Sequence, residues 1–444
     1  MNHELTKDFI NAHLNDDVNK LALSKFPDDI DKQFVIRQIQ ARQLLKKKLP
    51  FWSENDELLF PKRLSLEQCS SELTAKYKST KLRENTRKEI GGSSCNFVDR
   101  RILVDLTGGM GVDTSFLSDN FDETIYVESQ AELCELAEHN FKVLKKNIKV
   151  VNAKAEDFLT QCGEVDCIYL DPARRDEYGR KMVSLHDCSP DVAELQDLLF
   201  EKTNTVIVKL SPMLDIDIIK KELKNIKEIH VVAVKNECKE VLVLCQRTTD
   251  NETTSRDASM IPAIKRIDTS DENEAIRRLY ISAIDLKEDW KFSFTEDEEQ
   301  NAIPTFADEI GKYLYEPGVA CMKAAPFKLL SQRFNIKKLH RNSHLYTSDE
   351  LVADFPGRIF EVIAAVPFDK KAKKTILETQ RFRATETQSD ELSATLKASI
   401  AVRNFPLSAE ALRKHLGFKD GDDFYIFGTT MKGEKKMLVL GSKC

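Results

Sequence analysis

The stretch VDLTGGMGVDTSFLS, residues 104–118, decides the fold. It continues the apolar run RILVDL (101–106), which reads as a short buried strand delivering Asp105 at its carboxyl end. Thr107, Gly108, Gly109 and Gly111 then form a tight turn, where missing β-carbons let the backbone approach a bound ligand. Asp113, Thr114 and Ser115 open a helix. Strand, glycine turn and helix in this order make a corner suited to holding a ligand. Taken alone, that corner fits S-adenosylmethionine (SAM), with its sulfonium and carboxylate end over the turn. It equally fits a dinucleotide or plain turn chemistry.

The same rhythm continues downstream. ETIYVE (123–128), KVVNA (149–153), VDCIYLD (165–171) and TVIVKL (205–210) are strand runs, and AELCELAEHNFKVL (131–144) and DVAELQDLLF (191–200) are helical. Residues 215–228 supply another helix, and HVVAVKN (230–236) and KEVLVLCQ (239–246) two more strands. RLYISAI (278–284) and WKFSF (290–294) suit an antiparallel edge, with a polar loop over 247–278 before them. Short apolar strands alternating with helices predict an α/β, Rossmann-like core with a mostly parallel sheet covered on both faces.

The strand ends carry the polar residues. Glu128 closes the second strand, where a carboxylate can accept both hydroxyls of a ribose, a group shared by NAD and SAM. NAKAEDF (152–158) sets Asp157, with Glu156 beside it, where an adenine amino group would lie; both also suit the first turn of a helix. LDPARR (170–175) closes the fourth strand at the edge where open α/β sheets place substrates. There Asp171 and the carbonyls of Pro172, Ala173 and Arg174 can hold an amino group whose lone pair faces a methyl donor. Arg174 and Arg175 can clamp a phosphate or carboxylate, or pair with surface acids. VKLSPMLD (208–215) follows the fifth strand, making Lys209, Ser211 and Pro212 candidates for the opposite wall. A turn of the LDPARR kind has no evident part in hydride transfer, which favours SAM over a nicotinamide. His186 has no support as a general base.

Before Arg101 the chain reads as helical: QFVIRQIQARQLLKKKL (33–49) places Val35, Ile36, Ile39 and Leu44 at helical spacing, and SLEQCSSELTAKYKSTKL (65–82) reads as a second helix. After residue 300, YLYEPGVACMKAAPFKLLSQRF (313–334) reads as a helix and RIFEVIAAV (358–366) as a strand. SIAVRNF (399–405), SAEALRKHLG (408–417), DFYIFGTT (423–430) and KKMLVLG (435–441) follow as strand, helix, strand and strand.

The 444-residue chain is 41% hydrophobic and 32% charged, with a net charge of −6. Residues 1–100 carry a net +3, residues 101–300 a net −15 and residues 301–444 a net +6. Mildly basic ends around an acidic middle allow phosphate contact outside the core, or simply a surface of uneven composition. The ten cysteines are scattered without a CxxC pair, so neither a metal site nor a disulfide framework is expected. No apolar run reaches about 20 residues and the N-terminus lacks a secretory pattern, so a cytoplasmic location and no membrane partner are expected.

The ordered set DLTGGMGVDT, YVE, NAKAEDF, LDPARR and VKLSP resembles class I SAM-dependent methyltransferases. Other phrases extend the resemblance over nearly the whole chain: EQCSSELTAKYK (67–78), VKNECKE (234–240), YLYEP (313–317), NSHLYTSDEL (342–351), FPGRIFEV (355–362) and AVRNFPLSAEALRKHLGFKDGDDFYIFGTT (401–430). With them the chain is similar to a bacterial group in which a ferredoxin-like domain precedes a domain resembling the THUMP RNA-binding module. The resemblance implies a helical N-terminal domain over 1–95, a methyltransferase domain over 96–300, a ferredoxin-like domain over 301–375 and a THUMP-like domain over 376–444. It implies that Asp105 and the glycine turn hold methionine, Glu128 the ribose and Asp157 the adenine. Asp171 and Pro172 fall where amino-directed methyltransferases carry Asp-Pro-Pro-aromatic or Asn-Pro-Pro-aromatic, but Ala173 and Arg174 replace the second proline and the aromatic residue. Arg174 can itself stack on a base. Gln68, Ser70 and Ser71 line the site entrance or cap a helix; Asn236, Glu237 and Glu240 are weaker candidates, and Tyr315, Arg403, Asn404 and Lys419 suit RNA contact or turn roles. The expected activity is SAM-dependent methylation of a nucleobase nitrogen in RNA (tRNA or rRNA), with no obligate protein partner. The alternatives are a protein or small-molecule methyltransferase, or a non-catalytic RNA-binding protein that keeps the SAM fold.

Overall fold

The structure, a computed structural model, describes residues 3–90, 100–174, 184–247, 278–386, 397–421 and 424–444. The chain divides into two compact units, residues 1–228 with 240–277 and residues 229–239 with 278–444.

The first unit opens with helices α1 (His3–Ala12), α2 (Val18–Leu23), α3 (Lys32–Leu45), α4 (Pro50–Glu54), α5 (Arg63–Gln68) and α6 (Glu72–Ile90). Val35 and Ile39 of α3 pack on Ile10, Leu21 and Ile30, while Ala41 and Leu45 join a cluster with Trp52, Leu58 and Phe60 that includes Met110 and Val112 beside the glycine turn. The helix expected over 65–82 is two helices. Its middle breaks at Cys69–Ser71, where Ser71 accepts the Thr74 amide at 3.2 Å. A serine that satisfies a free amide at a helix start competes with continuation of the preceding helix.

The sheet follows: β1 (Ile102–Asp105), α7 (Val112–Leu117), β2 (Glu123–Glu128), α8 (Ala131–Val143), β3 (Ile148–Asn152), α9 (Ala155–Gln161), β4 (Cys167–Leu170), a small ribbon of β5 (Ala173–Arg174) with β6 (Cys188–Ser189), α10 (Val192–Lys202), β7 (Thr205–Leu210) and α11 (Ile216–Glu222). After β8 (Ile226–Val234), β9 (Glu237–Gln246) returns antiparallel to β7. The order β9-β7-β4-β1-β2-β3 is parallel except at β9. β2 and β4 flank β1 on opposite sides, so the connections reverse direction there and open a crevice at the carboxyl ends of the strands.

In the second unit β8, β10 (Tyr280–Asp285) and β11 (Trp290–Thr295) lie side by side. A seven-stranded sheet follows, built from β12 (Tyr313–Pro317), β13 (Lys337–Lys338), β14 (Tyr346–Ser348), β15 (Gly357–Pro367), β16 (Ser399–Arg403), β17 (Tyr425–Thr430) and β18 (Lys436–Lys443) in the order β13-β14-β12-β15-β18-β17-β16. Residues 313–334, read as one helix, are a strand followed by helices Val319–Ala324 and Phe327–Arg333. Pro317 cannot continue a helix, and a β-carbon on Gly318 would lie 2.4 Å from the Trp290 ring. Ala325, at φ 62°, separates the two helices. β15 pairs with β12 on one side and β18 on the other, so both small α+β blocks share one sheet. No helix among the described residues is long and apolar enough to cross a membrane. The loop expected over 247–278 lies almost wholly outside the described residues.

Candidate active site

The glycine turn at the end of β1 is wired to two neighbouring strands. Gly108 donates its amide to the Val127 carbonyl at 2.9 Å, Gly109 donates to Glu128 Oε2 at 2.9 Å, and the Tyr126 hydroxyl donates to the Gly109 carbonyl at 2.6 Å. Gly108 presses against Tyr126 so closely that a β-carbon would lie 2.1 Å from the ring, whereas among the described residues one on Gly109, at φ +54°, would meet only the Thr107 carbonyl at 3.8 Å. The inner face of the turn is therefore packed and the outer face at Gly109 is open. Asp105 lies inside, accepting the Thr107 amide at 3.0 Å and the Thr114 hydroxyl at 2.6 Å. Burial nonetheless pushes its carboxyl up to about 7. Glu128 Oε1 accepts the Gln130 amide at 2.9 Å and the Ser129 hydroxyl at 3.1 Å.

The turn after β4 is tied to the same corner, because the Asp171 amide donates to the Thr107 hydroxyl at 2.6 Å. Asp171 Oδ2 is held by Lys209 of β7. Lys209 also lies 4.0 Å from Asp113 Oδ2. Burial works against the Lys209 charge, but Asp171 and then Asp113 outweigh it and raise the amine above its ordinary value. Asp113 Oδ2 accepts the Ser70 hydroxyl at 2.7 Å and the Tyr169 hydroxyl at 2.8 Å, and its Oδ1 lies 3.2 Å from Lys78 Nζ. Burial opposes the Asp113 charge, yet Lys78 and then Lys209 hold its carboxyl below the usual range. Lys78 closes the series on Glu240, 2.9 Å from each carboxylate oxygen.

These placements sort the residues read from the sequence. Asp105, Thr107, Gly108, Gly109, Gly111, Asp113, Glu128, Asp171 and Lys209 gather at one edge of the sheet. Glu156 is half-buried and Asp157 exposed in the first turn of α9, just after β3. Ala173 and Arg174 pair with Ser189 and Cys188. The Arg174 side chain and all of Arg175 lie outside the described residues. Ser70 joins the Asp113 network, Ser71 caps α6, and Ser211 accepts the Met213 amide at 3.3 Å. Asn236 accepts the Val319 amide, the Tyr315 hydroxyl accepts the Val352 amide, and Arg403 pairs with Glu316. His186 sits at the surface against Asp191, and with Glu194 they bring one ligand atom each within 4.8 Å of one another. The sequence reading does not single out Lys78 or Tyr169. The signal for Lys78 is its spacing with Ala75 and Leu82, which sets a lysine on the buried face of α6.

Residues 313–356 match the model of a ferredoxin-like domain and residues 357–443 that of a THUMP domain-like family. The chain is 32% identical to a crystal structure from Porphyromonas gingivalis W83 named "putative methyltransferase", with TM-score 0.76 over 99% of this chain and 98% of that one. A structure from Pyrococcus horikoshii named "putative RNA methyltransferase" is 14% identical, with TM-score 0.32 over 48% of this chain and 98% of that one. No curated protein sequence matches the chain.

Proposed function

Because the chain belongs to the methyltransferase family that ends in a ferredoxin-like segment and a THUMP-like domain, we propose that it is a cytoplasmic SAM-dependent enzyme that methylates a nucleobase nitrogen in RNA, a tRNA or rRNA. The observation that carries this reading is the Thr107 hydroxyl, which ties the Asp171 turn to the glycine turn while Gly109 ties that turn to Glu128. Glu128, the glycine turn and the Asp171 turn thus share one framework, which supports reading them as the nucleoside, methionine and acceptor-amine sites of an alignment-driven transfer.

The residues fit SAM. The open face at Gly109 leaves room for its methionine end, and among the described residues three of the roughly four acceptor positions of the Glu128 carboxylate are used, leaving one for a ribose hydroxyl. Glu156 and Asp157 stand beyond β3 for the adenine. SAM, when bound, supplies an electrophilic methyl group on a sulfonium centre. Among the described residues Lys209 occupies one Asp171 carboxylate oxygen and leaves the other for an exocyclic amine. Lys209, a candidate for the opposite wall, thereby supports Asp171 from β7. The seven-stranded unit, basic over residues 301–444, grips RNA by shape and phosphates.

The test is transfer of labelled methyl from SAM into fractionated RNA from cells lacking this protein. Label should enter one fraction and fall by about 100-fold with Asp171→Ala. SAM binding without labelled RNA would redirect the search to protein or small-molecule acceptors. No SAM binding at all would favour an RNA-binding protein that keeps the fold as a scaffold.

A further inference from the structure

An alternating series of charges runs from β9 through α6 to the Asp171 turn: Glu240, Lys78, Asp113 and Lys209, all largely enclosed, and then Asp171, whose side chain is 34% exposed. Lys78 is 1% exposed and Glu240 2%. Buried ion pairs are an inefficient source of stability, because desolvation cancels much of the attraction. Lys78 sits on an apolar helix face between Ala75 and Leu82, where a methionine or leucine would fill the space without that cost. Its ammonium instead meets Glu240 on one side and Asp113 on the other. Asp113 in turn shares Lys209 with Asp171, at 4.0 Å against direct contact.

We propose that Lys78 is a positioning residue of the methyl-transfer site: by engaging Asp113 it leaves Lys209 to Asp171 and so fixes the carboxylate that receives the acceptor amine. The proposal rests on the reading of Asp171 given above. Asp113 and Asp171 compete for one cation, Lys209. With Lys78 present, Asp113 has an ammonium at 3.2 Å and draws only weakly on Lys209. Without it, Asp113 keeps the hydroxyls of Ser70 and Tyr169 but, among the described residues, has Lys209 as its remaining close cation, and Lys209 moves towards it. Asp171 then loses the contact that orients it.

The experiment follows the Lys209 side chain by lysine-selective NMR in the full chain, compared with the methyl-transfer rate. The main variant is Lys78→Met/Glu240→Gln, in which no glutamate is left buried without its lysine. Its Lys209 resonance is expected to shift by more than those of surface lysines. Adding Asp113→Asn removes the competing carboxylate and returns the resonance towards its wild-type position, a rescue that a purely structural role for Lys78 does not predict. In the same main variant kcat should fall at least about 10-fold, while the SAM Kd and the RNA KM stay within about 3-fold. Glu240→Gln alone, the gentler change, keeps Lys78 on Asp113 and should leave the resonance in place. A Lys209 signal unmoved in the folded main variant overturns the proposal, as does a shifted signal with wild-type kcat. Wild-type protein that methylates no RNA, with the Lys209 shift and rescue intact, brings down the functional reading and leaves the charge coupling standing.

Discussion

At the scale of single residues, Asp105 shows how enclosure can override hydrogen bonding. Two donors favour its charged form, yet burial pushes its carboxyl from 3.8 up to about 7. An acid whose pKa rises on folding holds its proton more tightly in the native state than in the unfolded one. Its contribution to stability is therefore fully present below the unfolded value and is lost as pH rises towards 7. Asp105→Asn keeps an acceptor for the Thr107 amide and removes the titration. The stability of the wild type relative to this variant should fall by up to about 4 kcal/mol between pH 4 and pH 7. Urea denaturation at a series of pH values checks this, and a constant difference across the range refutes it.

At the scale of elements, Glu316 explains why scattered phrases of the C-terminal half belong together. It is buried on β12 and pairs with Arg358 of β15, whose Nε lies 2.8 Å away, and with Arg403 of β16 at 2.6 Å. β12 and β16 stand four places apart in the sheet order, so this contact requires the sheet to curl. The curl wraps a core of Leu314, Phe360, Phe427 and Val439. Two further bonds make the same closure: the Ser343 hydroxyl donates to the Thr430 carbonyl at 2.6 Å, and the Asn404 amide meets His340 at 3.0 Å. Glu316→Ala removes the shared partner of two guanidinium groups that are each about a third exposed, 31% and 34%, and should cost the second unit about 1–3 kcal/mol. Calorimetry of the full chain reads this as an earlier transition, and a loss below about 1 kcal/mol would show that the arginines find other partners.

At the scale of the whole molecule, the N-terminal helices are part of the first unit's core. Trp52 and Leu45 share a cluster with Met110 and Val112, and Leu82 shares one with Leu103 and Leu117. Asn140 of α8 both donates to and accepts from the backbone of Leu59, at 2.8 and 2.9 Å. Removing residues 1–95 would uncover these apolar faces and delete Lys78. The truncated chain should lose the cooperative unfolding transition of the first unit and become protease-sensitive across β1–β4, as proteolysis and circular dichroism would reveal. A truncated protein that unfolds cooperatively and resists protease would show that the helices are dispensable.

Local chemistry was enough to read the strand–glycine turn–helix corner, the alternation that makes the sheet parallel, and the gathering of Asp105, Glu128 and Asp171 at its carboxyl edge. Periodicity, glycine geometry and helix capping act within a few residues and leave their pattern in the chain. Other features depended on which surfaces meet. Tyr313–Pro317 is a strand because β14 and β15 supply its hydrogen bonds from either side. Lys78 and Glu240 lie 162 positions apart, and neither has a local signature of its partner. Lys209 reads from sequence as a candidate for the wall opposite the Asp171 turn, and its ion pair with Asp171 emerges only in three dimensions, because the strand order places β7 beside β4. An ion pair's strength depends on how far its charges are removed from water, and that is decided by segments remote in the chain.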